Sequence, residues 1–417
     1  MRTRRLVLFV FVLWGLPVFP QFVSGEWVER GEREIVKHRQ AEVSFLVFDD
    51  QGKIAADAEI RIEQLKHAFT LGFAVHKEFP VDFDPEAEGW RAFNAVSLAP
   101  LSSWRQVQPT GPDTLKADTI DQAIRAASAL KLEIHWGPLV SADAFDLPEW
   151  VVPLRGDALS DAARSYAHKI AMSYRSTVHD ADTVEKTIDH DRFAPAALRL
   201  LALDLQAAWP TASPSLRYAG ALSGRRAFEV VKAMDATLKQ RLDTEEFNIE
   251  QAFPPRAIAQ DRLEPALKRV TRHRHPLTIG SLEIAGSQSI ESAVNTETVL
   301  RTLFAEPMIK GIFFAGLTAD QFVEPSAALF DENGEVTPVL RTADRLFRET
   351  WWTNETLTTD DLGRATARVF LGDHRVTATL PDGSSVGVVV RLDDNNESPR
   401  EILLMPVATE NEADQTE

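Results

Sequence analysis

Between residues 69 and 350 the chain alternates two hydrophobic periods, and this limits its fold more than any other feature. Short apolar runs recur at 71–75, 93–98, 132–139, 183–188, 216–219, 247–253, 277–284 and 309–317. Helix-period segments lie between most of them: Ile120-Ile124-Ala127, then 162–172, 197–208, 228–238, 263–270, 294–304 and 340–347. Short apolar runs suit strands buried on both faces, and helical spacing suits helices with one face on a sheet. Eight such strands over about 280 residues predict an α/β protein, a (β/α)8 TIM barrel. The fourth run is short and polar and marks that strand least clearly. An open doubly wound sheet is the alternative, but no glycine-rich fingerprint follows the first strand.

Both flanks read as β. Val43, Phe45 and Val47 alternate with Ser44, Leu46 and Phe48, Asp49-Asp50-Gln51-Gly52 supplies a turn, and Ala58, Ile60 and Ile62 follow. After Trp352, residues 365–369 and 386–390 are strand-like, with a turn signal at Asp382-Gly383. The expected division is a signal peptide over 1–25 and a small N-terminal β unit over 26–68. The barrel covers 69–351, a small C-terminal β cap 352–407 and an acidic tail 408–417.

The signal reading rests on Arg2, Arg4 and Arg5, an apolar run over 6–18 too short to span a bilayer, and the small residues Val23-Ser24-Gly25. It predicts a secreted or periplasmic protein with no membrane partner after cleavage. The formal charge is −17, or −20 without the three signal arginines. Such a surface repels nucleic acid and anionic lipid. With no cysteine, zinc–thiolate, cysteine-nucleophile and haem-attachment chemistries are excluded. A chain this long can bury enough surface without disulfides.

In a barrel of this kind, function sits at the C-terminal ends of the strands. The candidates there are Trp104 beyond strand two, Trp136 in strand three, and Glu185, Asp189 and His190 at strand four. Strand six offers Glu250 and Gln251, and strand seven Ser281 and Glu283. Flat indole faces can stack on sugar rings, which makes Trp104 the first choice of platform. The histidines and aspartates of 179–191 are metal-ligand types, but their spacing matches no metal motif. No metal and no cofactor is expected. His273-Arg274-His275 precedes strand seven, at the end of a barrel that serves stability. No Gly-x-Ser-x-Gly elbow and no phosphate loop is present.

Several short motifs, in order, resemble glycoside hydrolase family 10, the xylanase family. They are Phe69-x-x-Gly72-x-Ala74-Val75, Phe93-Asn94-Ala95-Val96 with Trp104 and Pro109, and Leu147-Pro148-Glu149-Trp150. Pro276-Leu277-Thr278-Ile279, Gly311-Ile312 through Gly316, Ala328-Leu329-Phe330-Asp331 and Trp352-Thr353 follow. The β preface, from Ile35-Val36-Lys37-His38-Arg39 to Ala58-Glu59-Ile60, is similar to that of bacterial members. The resemblance covers about residues 35 to 375. It implies a xylan-type β-1,4-linked polysaccharide or oligosaccharide as partner and two glutamates flanking the scissile bond.

This sequence departs from the family at those glutamates. The strand-four position falls on Ile188 and the strand-seven position on Ser281. The strand-eight tryptophan falls on Ala315, and the glutamate after Trp104 is Gln108. A retaining glycosidase needs a carboxylate nucleophile and a carboxylic acid about 5–5.5 Å apart. Isoleucine cannot donate a proton, and a serine without a base is a poor nucleophile. The expectation is a polysaccharide-binding protein with hydrolysis impaired or lost, a pseudoenzyme. An active glycosidase with relocated carboxylates is one alternative. Glu283 shares the strand face of Ser281, and Asp189, Glu185 or Glu250 could supply the second carboxyl. A structural or protein-binding barrel is the other alternative.

Overall fold

A computed structural model describes residues 25–80, 82–141, 146–178, 180–181, 184–185, 193–210, 215–220, 222, 226–239, 246–393 and 400–405. The chain enters through α1 (Gly25–Arg39), β1 (Gln40–Val47) and β2 (Glu59–His67). A parallel sheet follows. Its strands are β3 (Thr70–Ala74), β4 (Ala95–Ser97), β5 (Glu133–Trp136), β6 (Val140–Ser141), β7 (Asp180–Ala181) and β8 (Val184–Glu185). They continue with β9 (Ser215–Ala219), β10 (Glu246–Phe253), β11 (Leu277–Ile284) and β12 (Ile309–Phe314).

The helices of this region are α2 (Trp104–Val107), α3 (Asp118–Ala129), α4 (Gly156–Tyr174) and α5 (Pro195–Ala208). After them come α6 (Arg226–Lys239), α7 (Gln260–Val270), α8 (Ile290–Ala305) and α9 (Pro338–Arg345). Their starts are locally encoded. Proline stands at the first turn of α5 and α9, where its missing N–H costs nothing. The Ser289 hydroxyl caps α8 by accepting from Ser292 N at 3.1 Å.

The sheet order explains the curl. β3 pairs with β4 on one side and with β12 on the other, so the last strand lies beside the first. From β12 the pairing runs back through β11, β10, β9 and β8, and from β4 forward through β5 to β7. β6 pairs with β8. Within this parallel sheet, Phe73, Ile134, Phe247, Ile279 and Phe314 are among the buried residues of one large core shared with the helices. The chain is a mixed α/β protein built on a curled parallel sheet.

The flanks depart from the sequence reading in two ways. The preface opens on a helix rather than a strand, because Trp27, Ile35 and Arg39 turn inward from α1. Its charged majority masks a sparse apolar face, which packs on α8. The two β flanks also share their sheets. β1 pairs antiparallel with β14 (Arg364–Phe370) and parallel with β17 (Arg400–Leu404). β2 pairs with β13 (Asn354–Thr358) and β15 (Gly372–Thr379), and β15 pairs with β16 (Ser385–Leu392). Val43, Phe45, Ile60, Ile62, Val369 and Val376 close a second, smaller core between these sheets.

Arg39 ties this unit to the parallel-sheet unit. Its guanidinium donates to the carbonyl oxygens of Phe304, Glu306 and Ile309 at 2.6–2.8 Å and lies over the rings of Phe69 and Phe304. Burial lowers its pKa to about 10.

Candidate functional site

A cavity of about 620 Å³ opens at the C-terminal ends of the parallel strands. β10 brings Glu250 to its wall, β11 brings Ser281 and Glu283, and β9 brings Arg217. His76 follows β3, Ala315 follows β12, and Asp146 lies beyond β6. The charged lining is therefore mixed, with Arg217 and Arg105 facing Asp146, Glu250 and Glu283.

A bulge in β11 sets the site. Ile279 pairs with Ile249, but the next pair is Ser281 with Glu250, so Gly280 is an extra residue. The pairing with β12 skips in the same stretch. A Cβ on Gly280 would lie 2.1 Å from Asn248 Oδ1, so any larger residue there must displace the Asn248 side chain. Bulges re-aim the residues that follow them. Here Ser281 and Glu283 line the cavity, while Leu282 between them is buried in the core.

Glu283 is 9% exposed. Burial raises its pKa above the usual carboxylate value, the backbone N–H groups of Val323 and Glu324 oppose this, and the charge of Glu250 adds to the rise. Its Oε2 is buried with no hydrogen-bond partner among the described residues. Glu250 sits differently. Arg217, itself 5% exposed, donates to Glu250 Oε1 at 3.1 Å, and the two form an ion pair. The cavity thus holds one buried acid that resists ionisation beside one carboxylate paired to a cation.

The other sequence candidates lie elsewhere or do other work. Trp104 is 1% exposed, stacked on Tyr166 with centroids 5.0 Å apart, and donates from Nε1 to Gln108 Oε1 at 2.9 Å. It lines the cavity with its ring packed against Tyr166. Trp136 is wholly buried against Tyr174 and is also a core residue rather than a ligand contact. Gln251 is buried as well: Oε1 accepts from Leu222 N at 2.9 Å and Nε2 donates to the Ala252 carbonyl at 2.7 Å. It braces the strand end and is not among the described residues that line the cavity. Asp189, His190 and Ile188 lie outside the described residues, as does most of 179–191. Glu185 is placed in β8 by its backbone.

Arg217 is the functional-site residue that the sequence reading passed over. Its signal was available: a cation inside an otherwise apolar run, Leu216-Arg217-Tyr218-Ala219. His76 is another. Its Nε2 donates to the Ala315 carbonyl oxygen at 2.6 Å, at the position where the family resemblance puts a tryptophan.

A curled parallel sheet with a polar, carboxylate-bearing cavity at the strand C-termini defines a protein with a glycoside hydrolase family 10 xylanase-like fold. Xylanase 10B from Thermotoga maritima is one such neighbour, with a TM-score of 0.58, 17% identity, and coverage of 68% of this chain and 96% of that one. Xylanase 10B from Thermotoga petrophila, solved with xylobiose, gives 0.58 and 16%, covering 68% and 95%. A mutant of xylanase 10C from Cellvibrio japonicus, solved with xylopentaose, gives 0.55 and 13%, covering 67% of each chain. No family sequence model matches the chain, and no curated protein sequence matches it.

Proposed function

We propose that this is an exported protein that binds xylan-type β-1,4-linked polysaccharide in the strand-end cavity, with the family's two-glutamate hydrolysis lost. The sheet is read as a full (β/α)8 barrel, with β5–β6 as strand three and β7–β8 as strand four. The observation that carries the functional reading is Ser281. It lines the cavity beside Glu250, where the family resemblance calls for the nucleophilic glutamate. A serine there keeps a hydrogen-bonding group for a sugar hydroxyl but supplies no carboxylate. The fold neighbours solved with xylobiose and xylopentaose support the choice of sugar.

Titration calorimetry with neutral xylo-oligosaccharides, followed by product analysis, tests this. Saturable binding without turnover is expected. Absence of binding to any xylo-oligosaccharide rejects the reading.

One observation favours a second reading. Glu250 and Glu283 share the cavity, and the register places them one diagonal step apart on adjacent strands. Sheet spacings put their Cα atoms about 8 Å apart. Inverting glycosidases hold their carboxyl groups, rather than the Cα atoms, about 6.5–9.5 Å apart to admit a water, a separation that side chains on such a diagonal can span. In that reading Glu283, the more buried group, whose pKa burial raises, is the acid and Glu250 the base. Slow release of product with inverted anomeric configuration, abolished by Glu283→Gln, selects it.

A further inference from the structure

A second large cavity lies at the opposite end of the barrel from Glu283. It is a groove of about 780 Å³ between the β unit and the N-terminal ends of the parallel strands. One wall is β2 and β15. The other is the chain entering β3, β4 and β5, together with the segment after α9. Junctions between packed units are preferred places for ligands.

The groove's charge runs against that of the molecule. The chain carries −17 overall, yet five cations line this groove against Glu86 and Asp373. Two of the five are committed: Lys66 to Glu133, and Arg91 to Asp344 and Glu349. The remaining three, Lys131, Arg348 and Arg375, form no ion pair among the described residues. The Arg348 guanidinium instead lies 3.9 Å over the ring of Trp352, which is half-buried in the same groove. Lys131 holds a left-handed backbone conformation, φ 58°, at the turn into β5. That conformation is uncommon for a side-chain-bearing residue and fixes where the lysine leaves the chain.

We propose that this groove is a second binding site, for a carboxylate-bearing sugar such as a uronate-substituted xylo-oligosaccharide. The chemistry matches in two parts. A planar guanidinium takes a carboxylate through paired N–H donors. An indole face accepts the apolar face of a pyranose ring. In the strand-end cavity the one indole among the described lining residues, Trp104, is packed against Tyr166. The half-buried Trp352 carries the Arg348 guanidinium on one face of its ring and leaves the other face for a pyranose. A neutral sugar would leave the three cations unused, and a bare anion would leave the indole unused.

The choice of sugar backbone rests on the xylan reading, so the test carries a neutral control. Calorimetric titration would compare a xylo-oligosaccharide bearing one methylglucuronate with its neutral counterpart, each at low and high salt. The proteins would be the wild type, an Arg348→Ala/Arg375→Ala variant and a Lys131→Glu variant, which changes only an exposed side chain. The acidic sugar is expected to bind more tightly than the neutral one, to weaken with salt, and to lose about tenfold in affinity in the double variant. Lys131→Glu should weaken it in the same direction, with neutral-sugar binding unchanged in both variants. Equal acidic-sugar affinity in wild type and variants overturns the groove and leaves the xylan reading intact. So does binding of the neutral sugar alone. Binding of neither sugar overturns both.

Discussion

Glu283 is held in place by two different constraints. Its strand presses it toward the core, and the loop after β12 brings backbone N–H groups to its carboxyl. Burial dominates, and the folded pKa is raised. A raised acid contributes its stability below the unfolded value and loses it as pH rises through the folded value. At neutral pH the ionised group therefore costs stability. Glu283→Gln keeps the shape and an acceptor oxygen but removes the charge. Thermal melts should show a higher Tm than wild type at pH 7, with the gap closing as pH falls below the ordinary carboxylate value. A variant less stable than wild type at pH 7 would mean that the ionised carboxylate is a net stabiliser. That outcome would remove the argument for a protonated acid in the cavity. The carboxyl was legible in the sequence because it lay two residues beyond Ser281 on a marked strand. The surroundings of Trp104 and Trp136 were not legible, for the opposite reason. An indole near a strand end is a core residue or a platform according to what lies on its face, and for Trp104 that is Tyr166, 62 residues away.

At the level of elements, apolar runs predicted the long strands closely. The run at 277–284 coincides with β11, and the run at 247–253 falls one residue short of β10. Buried parallel strands announce themselves this way because both faces must be apolar. The bulge inside β11 was not legible, since nothing in Thr278-Ile279-Gly280-Ser281 distinguishes a bulge glycine from an ordinary one. What requires it is Asn248 on the neighbouring strand. Gly280→Ala should cost about 1–3 kcal/mol, the usual range for overpacking. Urea unfolding checks the cost. A neutral substitution would show that Asn248 swings away freely and that the bulge is not fixed by this contact. If the bulge is fixed, sugar binding in the strand-end cavity should weaken together with stability, because Ser281 and Glu283 owe their aim to it. The helix α1 and the pairing of β1 with β14 were hidden for a related reason. The partners of both lie more than 250 residues away, and local periodicity carries no information about such distant partners.

The whole molecule joins a curled parallel-sheet unit to a β unit along a seam, and the seam carries two buried histidines. His67 ends β2 and packs against Phe304, Phe347 and Phe370. Its Nδ1 accepts from Phe69 N at 3.1 Å, and burial lowers its pKa from 6.5 to about 3. His374 lies on β15, donates from Nδ1 to the Gly372 carbonyl, and is lowered by burial to about 4. An added proton on His67 would go to Nδ1 and break the bond it accepts from Phe69 N, while His374 would take it on Nε2, which is buried with no hydrogen-bond partner among the described residues. Between pH 6.5 and these folded values the unfolded chain binds more protons than the folded one, and stability falls as pH drops. The ceiling is on the order of 3 kcal/mol or more per ring. Glu283 and Glu306, both raised by burial, work in the opposite sense as pH falls through their folded values. The histidine shifts start at higher pH and set the trend first. Tm should therefore decline from pH 7 to pH 5, and His374→Leu, which cannot take up a proton in either state, should flatten that decline. A Tm that holds constant over this range, or a slope unchanged in the variant, would show that the seam is not the acid-sensitive part of the fold.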